Sequence, residues 1–229
     1  MYNSKSIVAL ITARAGSKGI KNKNLYPINN KPLINYTIEA ALKSNYLDAV
    51  YCTTDGSEIK QACLDAGIQV IDRPPELALD TSKSIDCIVH AVEEFKKQGK
   101  NFDYVLQLQP TSPLRQPFHI DGIIKECIDK GLEHMLSVHQ VEYNPILVRF
   151  KNEDKLTNIL NQQSTVRRQD MPKSVYVNGM LYLVKQDLLT LETSLNDIPY
   201  GYEVDPHFAL DINDMHDIEL AEIMLKQMD

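Results

Sequence analysis

Apolar and polar positions along the chain change period repeatedly, and those changes mark out its elements. "SIVALITA" (6–13) is an unbroken apolar run leading into a glycine-containing loop, the pattern of a central parallel strand buried on both faces. In "KPLINYTIEAALKS" (31–44) the period becomes helical, with Leu33, Ile34, Thr37, Ile38 and Ala41 on one face. "AVYCTT" (49–54) predicts a strand, "SEIKQACLDAG" (57–67) a helix stopped by Gly67, and "IQVI" (68–71) another strand. "SIDCIVHAVEEFKKQG" (84–99) carries a helical stripe of Ile85, Ile88, Val89, Val92 and Phe95. "YVLQLQ" (104–109), "HIDGIIKECIDKG" (119–131) and "HMLSVHQV" (134–141) continue as strand, helix and strand. This alternation predicts an α/β fold whose sheet is mostly parallel, doubly wound and Rossmann-like.

The alternation lapses between about 142 and 178, where "ILVRF" and "NEDKLTNILNQQSTVRRQDMP" read as hairpin and irregular chain. That stretch is expected to be a small arm inserted into a single domain spanning 1–229, placed to meet another subunit. Regularity returns with "GMLYLVK" (179–185) and "FALDI" (208–212), both read as strands, and a last helix from about Asp214.

Composition narrows the classes. The 229 residues, 43% of them hydrophobic, suit one α/β domain with a real core. Cys52, Cys63, Cys87 and Cys127 show neither C-x-x-C nor zinc spacing, so they read as core thiols in a reducing cytoplasm. "IVALITARA" superficially mimics a signal peptide, but its apolar run is very short and only Lys5 precedes it. No other segment is long and apolar enough to span a bilayer, so no membrane association is expected. The formal net charge is −7, yet no acid precedes Glu39. Positive charge this local fits a small polyanion better than nucleic acid, whose binders carry a basic face over the whole domain.

The basic stretch is "TARAGSKGIKNKNL" (12–25), directly after the first strand. In open α/β sheets ligands sit beyond the carboxyl ends of the strands, so this loop lies on the ligand edge. It matches neither G-x-x-x-x-G-K-[ST] nor G-x-G-x-x-G. Side-chain cations around a turn are the device instead. Arg14 offers a fork for phosphate oxygens, Lys18 and Lys23 offer point charges, and Gly16 and Gly19 let backbone N–H groups approach. Taken alone, the same stretch also reads as a solvated basic turn.

"ARAGSKGIKNKNL", "TTDG", "RPPELALDTSKS", "LQPTSPLR", "NGMLYLV" and "LDIND" occur in that order over essentially the whole chain. Together they resemble the acylneuraminate cytidylyltransferases, the CMP–sialic acid synthetases, which couple CTP to a nine-carbon 2-keto sugar acid. The related 3-deoxy-octulosonate cytidylyltransferases share the fold but lack this form of the first loop.

The resemblance implies that Arg14, Ser17, Lys18 and Lys23 hold the CTP phosphates. It makes Asn24 and Ser84 ribose contacts and Arg73 a reader of the cytosine edge. It turns Gln109, Arg168 and Tyr182 toward the sugar acid, and makes Asp211 a ligand of Mg²⁺. Family members commonly have Asp-x-Asp where this chain has Asp211 and Asn213, so a neutral carbonyl oxygen stands in for the second carboxylate. It also implies a homodimer. On local sequence alone, Arg73 reads as a surface charge before Pro-Pro, Ser84 as a helix cap, Tyr182 as a strand aromatic, and Asn213 or Asp214 as the cap of the last helix. Arg115 reads as structural, and no basic residue takes the family's position after the proline of "EYNP", Arg149 staying unassigned. The expected chemistry is attack of the anomeric hydroxyl on the α-phosphorus with loss of pyrophosphate, and no side chain stands out as general base. The alternatives are another sugar nucleotidyltransferase, or a non-catalytic sensor of CTP or an activated sugar.

Overall fold

The computed structural model describes residues 1–228, and at Arg168 the backbone alone. Its strands are β1 (Ile7–Thr12), β2 (Pro27–Ile28), β3 (Lys31–Pro32), β4 (Ala49–Thr54), β5 (Gln69–Asp72), β6 (Tyr104–Leu108), β7 (His134–Gln140), β8 (Arg149–Asn152), β9 (Lys155–Asn158), β10 (Val175–Lys185) and β11 (Gly201–Glu203). The helices are α1 (Leu33–Leu42), α2 (Ser57–Asp65), α3 (Ser84–Lys97), α4 (Pro117–Asp129) and α5 (Met215–Lys226). Seven strands form the main sheet in the order β11-β7-β10-β6-β1-β4-β5. β10 runs antiparallel to both neighbours and every other pairing is parallel. The expected mostly parallel, doubly wound α/β sheet is therefore present.

Alternation along β1 sorts the core. Ile7, Ala9 and Ile11 face the side covered by α1, α2 and α4, while Val8 and Leu10 face α3. The helical stripes pack as their period requires, with Leu33, Ile34, Thr37, Ile38 and Ala41 of α1 all buried. A further cluster joins α5 to the basic loop through Ile20, Ile28, Leu33, Leu114, Ile212 and Ile218. All four cysteines are buried and free.

Two expectations need correction. "FALDI" is not a strand: Phe208 ends a 3-10 turn, and Ile212 N–H reaches only the Thr111 carbonyl, at 2.8 Å. Its apolar residues serve the α5 cluster, and the sheet edge beside β7 belongs to β11, a three-residue strand too short to leave a pattern. Ser84 is the first residue of α3 rather than its cap; Lys83 stands at the cap, with its N–H on Asp86 at 2.9 Å. For α5 the alternatives resolve to Asp214, whose carboxylate accepts from the N–H groups of His216 and Asp217.

His119 on α4 is 3% exposed, packed against Phe118 and Phe208, and its Nδ1 accepts the Gln116 N–H at 3.0 Å. Burial, helped by the Arg115 charge, pushes it down to about 4. The unfolded chain binds this proton near pH 6.5, so the contribution of neutral His119 is full above that pH and is lost as pH falls toward 4. The expected loss is roughly 2–3 kcal/mol at pH 4. Thermal midpoints from pH 7 to 4 should fall more steeply for the parent than for His119→Gln, and equal slopes would remove His119 as the source.

Candidate active site

The sheet order reverses at β1: β4 and β5 lie on one side, and β6 is added on the other. Ligands of open α/β sheets bind at such a switch point, beyond the carboxyl ends of the strands. The loop after β1 and the loop after β6 meet there. They form a cleft of about 350 Å³ lined by Arg14, Ser17, Lys18, Lys23, Asn24, Arg73, Ser84 and Gln109, among others. These residues come from four separate stretches of sequence, and no local pattern dictates that they meet.

The basic loop is fixed from several directions. Ala15 N–H donates to Asp55 of "TTDG" at 2.9 Å. Asn24, 5% exposed, donates through Nδ2 to the Arg14 carbonyl at 2.9 Å and so closes the loop across its base. Asn22, in the left-handed region at φ 53°, turns the chain into a short 3-10 helix carrying Lys23. Lys23 Nζ then donates to the Ile212 carbonyl at 2.7 Å. Gly19 is needed where this loop meets the "LDIND" segment, since a Cβ there would lie 2.7 Å from the Asn213 carbonyl oxygen. Gly16 meets nothing within 4 Å.

Arg73 is not a surface charge. It is buried, its Nη2 donating to the Thr53 carbonyl at 2.7 Å, which backs the end of β4 against the cleft. Arg14 and Lys18 both pair with Asp80, at 3.0 and 2.9 Å. Asp80 comes from "ELALD" beyond β5, and the Lys18 ammonium beside it holds its carboxyl below the ordinary carboxylate range.

A second pocket of about 280 Å³ adjoins the first. It shares Lys83, Ser84 and Gln109 with it and adds Gln107, Tyr182, Thr193, Ser194 and Asn196. Tyr182 is more than a strand aromatic: its ring is buried and its hydroxyl donates to Asn196 Oδ1 at 2.7 Å. Burial raises its phenol, which stays protonated at neutral pH. Gln107, absent from the sequence-based expectations, is 2% exposed and lines this pocket with its Oε1 unpaired. Its signal was a polar residue inside an otherwise apolar strand. β10 carries an irregularity in its pairing with β7 between Val177 and Tyr182, and Gly179 sits there at φ 74°. A Cβ on Gly179 would lie 2.9 Å from Gln109 Oε1, so the glycine makes room for that side chain.

Asp211 and Asn213 do not line the cleft. They flank Ile212, whose N–H is on Thr111 and whose carbonyl takes Lys23. Asp211 Oδ1 is buried without a partner, and Asn213 Nδ2 donates to Asp211 Oδ2 at 3.3 Å. Among the described residues no group of three His, Cys, Asp or Glu side chains could hold a metal. Asp211 thus keeps one buried carboxylate oxygen unpaired, a hard donor of the kind a hard cation takes. Arg168 lies in a short 3-10 turn of the arm, and its side chain is outside the described residues. Arg149 donates to the carbonyls of Ile146 and Val148 within the arm. No described helix is long and apolar enough to cross a membrane.

The family model described as "Cytidylyltransferase" matches residues 8–227. The chain is 30% identical over 214 residues to the N-acylneuraminate cytidylyltransferase of Streptococcus agalactiae serotype V, covering 92% of this chain and 51% of the relative. It is 35% identical to N-acylneuraminate cytidylyltransferase B of Danio rerio (93% and 50%) and 33% identical to the enzyme of Escherichia coli O18:K1:H7 (94% and 51%). The chain spans about half the length of these curated relatives. In fold it is similar to a CMP:2-keto-3-deoxy-manno-octonic acid synthetase complexed with CTP, with a TM-score of 0.75 at 18% identity over 98% of this chain and 100% of that one. It is also similar to 4-diphosphocytidyl-2C-methyl-D-erythritol synthase, with a TM-score of 0.73 at 12% identity over 97% and 99%.

Proposed function

Because the chain belongs to the cytidylyltransferase family, we propose that it transfers the cytidylyl group of CTP to a sialic-acid-type 2-keto sugar acid, releasing pyrophosphate. The observation that carries this reading is the convergence of Arg14, Lys18 and Lys23 with Arg73, Asn24 and Ser84 in one cleft that opens into a second pocket through Gln109. The cations suit a triphosphate and Arg73 the cytosine edge, while the pocket of Gln109 and Tyr182 suits a polyhydroxylated acid. The reaction needs alignment and charge neutralisation rather than a covalent intermediate. Lys23, Lys18 and Arg14 stabilise charge growing on the departing pyrophosphate, and the shared wall of Ser84 and Gln109 keeps the sugar hydroxyl next to the α-phosphorus. Asp211 would hold Mg²⁺, assisted by Asn213; when bound, the ion neutralises phosphate charge and acidifies the attacking hydroxyl.

The test is pyrophosphate release from CTP and Mg²⁺ against N-acetylneuraminate, legionaminate, pseudaminate and octulosonate, with no-sugar and ATP controls. Release with CTP and one nine-carbon acid supports the proposal. Release only with octulosonate reassigns the acceptor, and CTP binding without turnover on any acid favours the sensor reading.

The arm belongs to the same proposal as a dimer contact. Tyr143, Phe150 and Leu156 are 75%, 57% and 65% exposed, an apolar display that a lone subunit leaves in water. The double variant Phe150→Glu, Leu156→Glu is expected to sediment as a monomer where the parent sediments as a dimer; identical sedimentation would remove the arm from the contact. The four free buried thiols support work in a reducing, cytoplasmic compartment.

A further inference from the structure

The nucleotide cleft holds a carboxylate where phosphate is expected. Asp80 sits between Arg14 Nη1 at 3.0 Å and Lys18 Nζ at 2.9 Å, and all three line the cleft. It is carried by the turn between β5 and α3, which Ser82 closes by donating through Oγ to the Glu76 carbonyl at 2.9 Å and through N–H to the Leu79 carbonyl at 3.0 Å. Leu79 and Ser82, on either side of Asp80, line the cleft too. The tip of this turn thus lies along the phosphate end of the site, tied to it by two ion pairs. No acid within the basic loop neutralises these cations; the only ion pairs they make among the described residues are to Asp80.

We propose that Asp80 is an internal competitor for the phosphate subsite: it holds Arg14 and Lys18 in position in the empty cleft and surrenders them to the incoming polyphosphate. The inference rests on the nucleotide-binding reading above. A carboxylate spreads one negative charge over two oxygens, as a phosphate spreads its charge over several, so it satisfies the same guanidinium and ammonium donors less strongly. A triphosphate outbids it through extra charge and through contacts elsewhere in the cleft, among them Arg73. Breaking the two pairs costs any ligand that takes both cations the same free energy; CTP makes it up through its base and ribose contacts, which free pyrophosphate lacks. Asp80 therefore lowers both affinities by the same factor, and pyrophosphate, the weaker binder, is left free to leave.

Asp80 is half exposed and, among the described residues, its carboxylate pairs with the two cations alone, so Asp80→Asn should fold normally. Exposed ion pairs are individually weak, and losing two competing pairs is expected to tighten the binding of both pyrophosphate and CTP about three- to tenfold at low salt. The difference should shrink at high salt as surface charges are screened. Asp80→Glu, which keeps the charge, should stay close to the parent. The measurement is calorimetric titration of parent and both variants with pyrophosphate and with CTP, each in chelator and in Mg²⁺. Tighter metal-free pyrophosphate binding by Asp80→Asn supports the proposal. Unchanged binding overturns it, as does weaker binding confined to Mg²⁺, which would make Asp80 a metal ligand instead. If the parent and both variants bind neither ligand, the nucleotide reading falls and this inference with it.

Discussion

Lys23→Ala is expected to lower turnover roughly 10²–10³-fold while leaving the folded state intact, the scale typical of one preorganised charge donor at a transition state. Arg14 and Lys18 are paired with Asp80. Among the described residues, no carboxylate lies within ion-pair distance of Lys23. Lys23 Nζ donates to the Ile212 carbonyl at 2.7 Å, so an ammonium with three donors keeps two for phosphate oxygens. That same bond anchors it to the segment carrying Asp211, so the charge reaches the cleft from a fixed base. Lys23→Gln separates charge from tether, because its amide can still donate to Ile212. Both variants should lose turnover alike, with thermal midpoints near the parent's. Near-normal turnover in Lys23→Gln would assign Lys23 to loop anchoring alone.

Arg115→Ala is expected to cost about 3–5 kcal/mol of folding stability, the scale of leaving buried acceptors unpaired and opening a cavity together. Arg115 is 1% exposed and donates to Thr37 Oγ1 at 2.8 Å, the Gln109 carbonyl at 2.6 Å and the Met180 carbonyl at 2.9 Å. One side chain thus ties α1, the loop after β6 and β10 together directly behind Gln109. Burial pushes its guanidinium down to about 9, with the Asp211 charge partly offsetting that, so it remains charged at neutral pH. Alanine would strip the guanidinium from three buried acceptors, leaving the Gln109 carbonyl only the long 3.5 Å bond from Thr37 Oγ1, and would open a cavity besides. Arg115→Met refills much of the volume and should lose less. Urea denaturation of the three proteins checks this: the midpoint should fall furthest for alanine with little change in slope, and a loss below 1 kcal/mol would show that other groups take over its acceptors.

Much of the fold was legible because burial imposes a period on the sequence. β1 needs apolar residues on both faces and α1 on one, so "SIVALITA" and "LINYTIEAAL" announce themselves. "FALDI" misled because its apolar residues face the α5 cluster without entering a ladder. β11 escaped because Gly201–Glu203 is held by backbone bonds to β7, with little burial of its own. The arm's lapse of pattern was visible and corresponds to the β8–β9 hairpin, though β10 begins at Val175, inside the expected insertion.

At the site, the sequence by itself determined the cations: a loop with Arg14, Lys18 and Lys23 and no acid is a statement about charge that needs no coordinates. It could not determine what faces that loop. Arg73 beside Pro-Pro is buried only because Thr53, at the end of another strand, accepts its guanidinium. Asp80 lies far along the chain from Arg14, yet meets it across the cleft. Ser84, Gln107, Gln109 and Tyr182 share a pocket wall because parallel strands bring their carboxyl ends to one edge and β10 returns beside β6. Local pattern records which side chains a segment buries. Partners across a sheet edge are chosen by strand order and register, and only the tertiary structure decided those.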